Sequence, residues 1–183
     1  MSEVCHDVKV EPHLNQLSGE TLHERTANTT SEARLDISAR DFWIKHQRAF
    51  FDIRVFNPTA RRYDHLSTKK AYEINEREKK RHYNERVLEI EQGSFSPMVF
   101  SAFGGMAREC SMVFKRLIDL LADKRKINTS LVASWVRRKV NFSIMKSLIC
   151  CVRGTRYPWY KENIVETIQK DIDLSEVMSK ISN

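Results

Sequence analysis

The chain has 183 residues, 41% of them hydrophobic, which suffices for the core of one domain but not of two full-sized ones. Its net charge of +7 and pI near 9.3 favour a polyanionic partner, although many basic proteins bind none. No apolar run approaches the ~20 residues that a membrane-spanning helix needs. The four cysteines lack zinc-site spacing and no signal peptide precedes them, so we expect reduced thiols in the cytoplasm or nucleus.

The first predicted strand is Val8 to Leu14, a short apolar alternation that Pro12 interrupts. Glu11 lies near its end. Residues 15–32 follow, rich in Ser, Thr, Asn and Glu and without periodicity, which indicates an exposed connection.

Two alternating runs then predict a β-hairpin, Ala33 to Ala39 and Ala49 to Phe56. Alternation sets Asp36 on the polar face of the first strand, and Asp52 and Arg54 on the polar face of the second. The apolar face is expected to carry Leu35, Ile37, Phe51, Ile53 and Val55.

The two aspartates of this hairpin are candidate metal ligands. Neighbouring strands lie about 5 Å apart, so a register that sets Asp36 opposite Asp52 would let both carboxylates meet one Mg²⁺ ion. A half-solvated hairpin face that happens to carry charge is the alternative, and it explains either aspartate alone. Aspartate is disfavoured in strands, so two of them favour a cation or a functional cleft.

Asn57-Pro58 ends the hairpin, and a basic loop leads to a helix from Thr68 to Gln92 that Gly93 terminates. Within this helix Glu78 and His82 are spaced to pair, as are Glu76 and Lys80. The thin apolar stripe of Tyr72, Tyr83, Val87 and Ile90 also contains Glu76 and Lys79. Lys79 therefore either extends past the edge of the sheet or reaches the polar face of the hairpin.

A fourth strand is predicted from Met98 to Phe103, with Pro97 confining its start to an edge position. The glycines after it, Gly104 and Gly105, suit either a phosphate-binding turn or a tight strand-to-helix turn. Two helices follow, Met106 to Lys126 and Thr129 to Arg153. In the last helix the predicted buried stripe is Leu131, Trp135, Phe142, Met145, Ile149 and Val152.

Residues 155–183 form a further segment, which contains a Tyr-Pro-Trp-Tyr break and then an amphipathic helical pattern. The predicted organisation is therefore a domain over residues 1–154 with a helical extension. The domain is expected to be α/β, with a mixed sheet of about four strands flanked by three to four helices.

The strings LDI and FDIR, with Asp36 and Asp52 separated by a hairpin, resemble the core of the PD-(D/E)xK nuclease superfamily. Together with VEPHL they resemble more closely the restriction-endonuclease-like domain at the C-terminal end of retroelement reverse transcriptase polyproteins. The resemblance covers about residues 4–154. It departs from the family in two places: Arg54 stands at the lysine position, and the helix that precedes the first strand is missing. The chain is therefore expected to be either a piece of a longer polyprotein or a domain that has lost an element covering one face of its sheet.

The resemblance implies a Mg²⁺-dependent endonuclease that hydrolyses DNA phosphodiesters. Asp36 and Asp52 would hold the metal with Glu11 as a further ligand, and Arg54 and Lys79 would complete the catalytic set. A catalytically inactive nucleic-acid-binding remnant of a mobile element, or a non-enzymatic interaction domain, are the alternatives. Either nucleic-acid function would use exposed cations, for which the candidates are Arg61, Arg62, Lys69, Arg137 and Lys139, besides Lys79.

Overall fold

The computed structural model describes residues 1–15 and 34–153, with side chains described up to residue 150. Its strands are β1 (His6–Val10), β2 (Ile37–Arg40), β3 (Arg48–Phe56) and β4 (Ser94–Ser101). Its helices are α1 (Thr68–Glu89), α2 (Arg108–Arg125) and α3 (Thr129–Arg153), and a short 3-10 helix covers Arg61–Tyr63. The predicted α/β class, with a four-stranded mixed sheet and flanking helices, is confirmed.

The strands form one sheet in the order β1-β2-β3-β4. The first two pairings are antiparallel, as expected of a strand followed by a hairpin, and β3 pairs with β4 in parallel. A parallel pair needs a long crossover between its strands, and α1 lies in that connection. The predicted parallel pairing of the third and fourth strands is confirmed.

The strands have other bounds than the sequence predicted, by one residue in β3 and by more in the other three. β2 spans Ile37–Arg40 rather than Ala33 to Ala39, because the chain bends at Asp36. β1 ends at Val10 rather than Leu14, because Glu11 has a left-handed φ of +50° that breaks the extended conformation, and only an isolated bridge between His13 and Arg34 continues the pairing. β4 begins at Ser94, so Pro97 lies inside the strand rather than at its start. The sheet accepts this proline because β4 is an edge strand, where one side of the backbone needs no donor.

Helices α1 and α2 pack on opposite faces of the sheet. Phe50 and Phe95, which pair across β3 and β4, form a small buried cluster with Val87 of α1. Phe100 points to the other face, five residues along β4 from Phe95, and its ring lies 5.8 Å from that of Phe114 in α2. The polar face of β3, which carries Asp52, therefore lies beneath α1.

The hairpin's apolar face is buried only in part. Phe51 is fully buried, but Ile53 and Val55 are exposed, contrary to the uniform apolar face that the alternation predicted. Leu35 is buried beside Phe50, on the other face from the one predicted, because the chain bends at Asp36.

Helix α3 buries a different stripe from the one predicted. Val132, Val136 and Ile144 are buried. Of the predicted stripe, Trp135 packs partly buried against the core, whereas Leu131, Phe142, Met145 and Ile149 are exposed. Apolar residues occur around much of α3, so two stripes one residue apart are equally consistent with its sequence, and packing selects between them.

The chain divides into two compact units, Met1–Ile144 and Met145–Asn183, and the first contains the whole sheet. The predicted connection over residues 15–32, beyond Asn15, and the predicted extension over residues 155–183 lie outside the described residues. Within the part of the chain that the structure describes, no helix is both long and apolar enough to cross a membrane.

Candidate functional site

A buried carboxylate and a lysine meet between the sheet and α1. Asp52 on β3 is only 5% exposed, and its Oδ2 lies 2.5 Å from Nζ of Lys79. Lys79 reaches it because it belongs to the inward stripe of α1, directly above this face of β3. Although the two atoms are this close, Oδ2 makes no well-aligned hydrogen bond with another described residue, so the contact is best regarded as an ion pair.

Burial raises the pKa of the Asp52 carboxyl above its ordinary value. The contact with Lys79 and the charge of Arg54 lower this pKa, whereas the charge of Asp36 raises it. Burial outweighs the two cations, so the pKa of Asp52 is raised. The carboxylate of Asp52 therefore favours an adjacent cation.

Asp36 lies one residue before β2, at a bend in the chain. The antiparallel pairs run from Arg40 with Arg48 to Ile37 with Phe51, and continuing this register by one residue sets Asp36 opposite Asp52. The Oδ2 of Asp36 accepts a hydrogen bond of 2.5 Å from the backbone N–H of Ile53. The charge of Asp36 raises the pKa of the Asp52 carboxyl, so the two aspartates lie near one another.

Tyr83 forms a wall of this site that the sequence reasoning assigned only to the apolar stripe. Its ring centroid lies 5.7 Å from the Nζ of Lys79, one turn earlier in α1. Burial raises the pKa of the Tyr83 hydroxyl, and the charges of Asp52 and Asp36 raise it further. The four-residue spacing from Lys79 was the available signal for this neighbour.

Beside the Asp52–Lys79 pair, the carboxylate of Glu78 contacts two guanidinium groups. The Nη1 of Arg54 lies 2.6 Å from Oε2 of Glu78, and the Nη2 of Arg62 lies 3.9 Å from the same oxygen. Burial alone would raise the pKa of Glu78, but the hydrogen bond from Arg54 and the charges of Arg54, Arg62 and His82 outweigh it and lower the pKa. Glu78 thus pairs across to β3 rather than only along its own helix as predicted.

Arg62 rests on a fixed aromatic platform. Its guanidinium carbon lies 4.9 Å from the centroid of the Tyr63 ring. Tyr63 is buried, and its hydroxyl exchanges hydrogen bonds with the fully buried side chain of Asn75 in α1. Asn75 also donates to the carbonyl of Ala71, so the platform is anchored in α1.

Glu11 lies near Asp36 through the backbone, since its N–H donates to the carbonyl oxygen of Asp36. Its carboxylate, however, pairs with Arg34, whose Nη1 is 3.3 Å away. In residues 1–15 and 34–153 no group of three or more His, Cys, Asp or Glu side chains is arranged to hold a metal ion. The structure brings Asp36 and Asp52 together but does not bring the carboxylate of Glu11 to them.

The remaining predicted cations occupy separate places. Arg61 is exposed beside Arg62 on the 3-10 helix, and Arg137 is exposed on α3. Lys139, also on α3, lies 4.8 Å from the centroid of the Trp135 ring. Besides Lys79, the described interactions connect Arg62 to the Asp52 region, through Glu78 and Arg54.

Lys69 lines an open cleft of about 1000 Å³ between α1 and the start of α2. Its charges are mixed, because Glu76, Lys80 and Glu109 line it too. Glu76 accepts a 2.9 Å hydrogen bond from the backbone N–H of Glu109 and so caps the first turn of α2. Lys80 pairs with Glu109. Glu76 and Lys80, predicted to pair with each other, thus both connect α1 to α2.

The two glycines lie before α2 rather than at its first turn. Gly104 has a left-handed φ of +85°, and the N–H of Gly105 donates to the hydroxyl of Ser101. A side chain at Gly105 would meet the hydroxyl of Tyr72. The two glycines therefore form a tight turn between β4 and α2, which favours a strand-to-helix turn over a phosphate-binding turn.

Comparison with known proteins gives no match: no family model fits the chain, and no curated protein or solved structure is significantly similar to it.

Proposed function

We propose that this protein is a metal-dependent endonuclease-like domain of the PD-(D/E)xK type, derived from a retroelement reverse transcriptase polyprotein and acting on DNA in the nucleus or cytoplasm. The observation that carries the proposal is the buried pair of Asp52 on β3 and Lys79 on α1, with the charge of Asp36 close enough to raise the pKa of Asp52. Two carboxylates and an ammonium are the groups that phosphodiester hydrolysis with a hard cation requires.

The carboxylates fit Mg²⁺, which commonly binds one or two protein carboxylates and takes its other ligands from water and substrate phosphate. Asp36 and Asp52 would hold the ion. Burial makes the ionised form of Asp52 unfavourable without a cation, which supports this choice. When bound, Mg²⁺ supplies Lewis-acid polarisation of a phosphoryl oxygen and lowers the pKa of water.

The cationic side chains have distinct tasks in this proposal. Lys79, held against Asp52, stabilises the negative charge that develops on the phosphate. Arg54 stands where the resembled family has lysine. Because an arginine keeps its proton throughout the physiological range, it binds phosphate oxygens and does not act as a base.

The direct test is Mg²⁺-dependent nicking of supercoiled DNA by the purified full chain. Asp52→Asn should abolish nicking, because the neutral amide binds the metal poorly, while DNA binding in EDTA should survive. Asp123→Asn, a change of an exposed aspartate on α2, is the matched control and should nick normally. Nicking by Asp52→Asn at the unchanged rate would exclude the proposed site.

The second candidate is a nucleic-acid-binding remnant without turnover, which the arginine at position 54 favours. Arg54→Lys separates the two: it should raise activity if the arginine is a degenerative change, and lower it if the site has adapted to the guanidinium. If neither the original nor the lysine form nicks DNA, while both are folded and bind it, the remnant is the better description.

A further inference from the structure

We propose that Arg54 and Arg62 form a fork for one backbone phosphate of the nucleic acid, and that Glu78 occupies this fork as an internal competitor. The proposal rests on the proposed function for the identity of the ligand. It starts from an unusual arrangement: two guanidinium groups from different elements approach a single carboxylate oxygen, at 2.6 Å and 3.9 Å.

The geometry suits a phosphodiester because a carboxylate and a phosphodiester each carry one negative charge on two equivalent oxygens. A guanidinium binds either with paired N–H donors. Two guanidiniums that meet at one carboxylate oxygen can therefore meet at one phosphate, and Glu78 marks the place that the phosphate would take.

Two contacts besides Glu78 help to position the fork. Arg54 extends from β3, where its backbone is paired with Val99 of β4. Arg62 lies on the ring of Tyr63, which the buried Asn75 fixes by hydrogen bonds. Removal of the carboxylate therefore leaves the guanidinium of Arg62 on the Tyr63 ring and the backbone of Arg54 in the sheet, so both cations stay beside the vacated place.

Displacement of Glu78 costs little. Its side chain is 32% exposed and that of Arg54 is 26% exposed, and ion pairs open to solvent contribute roughly 0 to 1 kcal/mol. The carboxylate can rotate into water when a phosphate enters. Glu78 thus lowers affinity for every polyanion, and it would favour those with a phosphate aligned to both arginines.

The test is duplex DNA binding in EDTA, measured by fluorescence anisotropy at several salt concentrations. Glu78→Gln should tighten binding by up to roughly fivefold, which corresponds to about 1 kcal/mol, and steepen the log-log salt slope by about 0.9, the value for one further neutralised phosphate. The matched control is Glu85→Gln, the same charge change at an exposed position about 10 Å further along α1. It should change Kd by less than about twofold, since a single exposed charge is largely screened at that distance.

A second set of variants locates the effect. In the Glu78→Gln background, Arg54→Gln and Arg62→Gln should each remove most of the gain, whereas Arg77→Gln, at an exposed position next to Glu78, should not. Glu78→Asp keeps the charge but withdraws it by one methylene, so it should give an intermediate gain of about threefold. It carries the test if Glu78→Gln fails to fold.

Equal changes in Glu78→Gln and Glu85→Gln would overturn the fork, and so would an absence of DNA binding by every variant. The outcome is independent of nicking. If Glu78→Gln tightens binding as expected but the protein never nicks DNA, only the nuclease is refuted. If the protein nicks DNA but Glu78→Gln has no specific effect on binding, only the fork is refuted.

Discussion

Replacing Lys79 with methionine removes the ammonium from a buried carboxylate and keeps most of the apolar length of the side chain. Breaking a buried ion pair on one side costs about 3 to 5 kcal/mol, because the remaining charge is left in a poorly solvated place. Lys79 is 20% exposed, so some water reaches the pair, and we expect a loss of about 2 to 3 kcal/mol in the free energy of unfolding near pH 7.

The pH dependence identifies the cause. The pKa of Asp52 is already raised by burial, and the contact with Lys79 lowers it. Without Lys79 the pKa of Asp52 should therefore rise further. A carboxyl with a raised folded-state pKa contributes stability that is present at low pH and is lost as pH rises through that pKa. The penalty of K79M should therefore shrink as pH falls from about 7 towards about 4, where the folded protein takes up a proton on Asp52.

The assay is urea unfolding followed by circular dichroism. With an m-value of about 2 kcal/mol/M, the midpoint of K79M should fall by roughly 1 to 1.5 M near pH 7. Lys70→Met is the control, since Lys70 pairs with Glu73 on the exposed side of the same helix and should cost at most about 0.5 kcal/mol. The double change of Lys79 to Met and Asp52 to Asn should recover most of the loss. A K79M cost that matches the control, or that does not vary with pH, would refute the buried-pair reasoning.

Three further predictions concern packing, thiols and helix capping. Gly105→Ala should lower the free energy of unfolding, measured with heat or urea, by about 1 to 3 kcal/mol, because the new Cβ would overlap the hydroxyl of Tyr72. Adding Tyr72→Phe removes that hydroxyl and should recover part of the loss. Burial raises the pKa of Cys110 to about 12, so native labelling with iodoacetamide read by mass spectrometry should spare Cys110 and modify the exposed Cys150; rapid modification of Cys110 would contradict its burial. Glu76→Ala should lower unfolding stability by about 1 kcal/mol through loss of the cap on α2, and Glu76→Gln, which retains an accepting oxygen, should lose less.

The parts of the fold that the sequence predicts are those that depend on local periodicity. Alternation around Asp36 and Asp52 indicates two strands, and the short span between them fixes antiparallel pairing. The inward stripe of α1 places Lys79 over the sheet, because the helical period alone decides which residues face it. These two local patterns meet in the observed site.

The parts that the sequence does not predict depend on which partner each surface meets. Glu78 is spaced to pair with His82, yet its shortest ion pair is with Arg54 of β3. The helical period identifies neighbours within α1 but not a partner on another element. Likewise, Ile53 and Val55 follow the apolar alternation but remain exposed, because burial needs a covering element and not only a pattern. The role of Asn75 was not predicted, because a polar residue in a highly charged helix gives no sign that it will be buried and hydrogen-bonded to Tyr63.

The position of Pro97 bears on how the sheet avoids other chains. β4 forms one edge of the sheet, and an edge strand with free donors and acceptors can recruit a strand from a second molecule. Pro97 lies inside that strand and has no N–H, so it cannot provide a donor to an added strand. Further along the same edge, the N–H of Ala107 donates to the carbonyl of Val99 and the N–H of Ser101 donates to the carbonyl of Gly105. The proline and these two internal hydrogen bonds together leave few backbone groups of β4 for an added strand and for the fibrillar association that could follow.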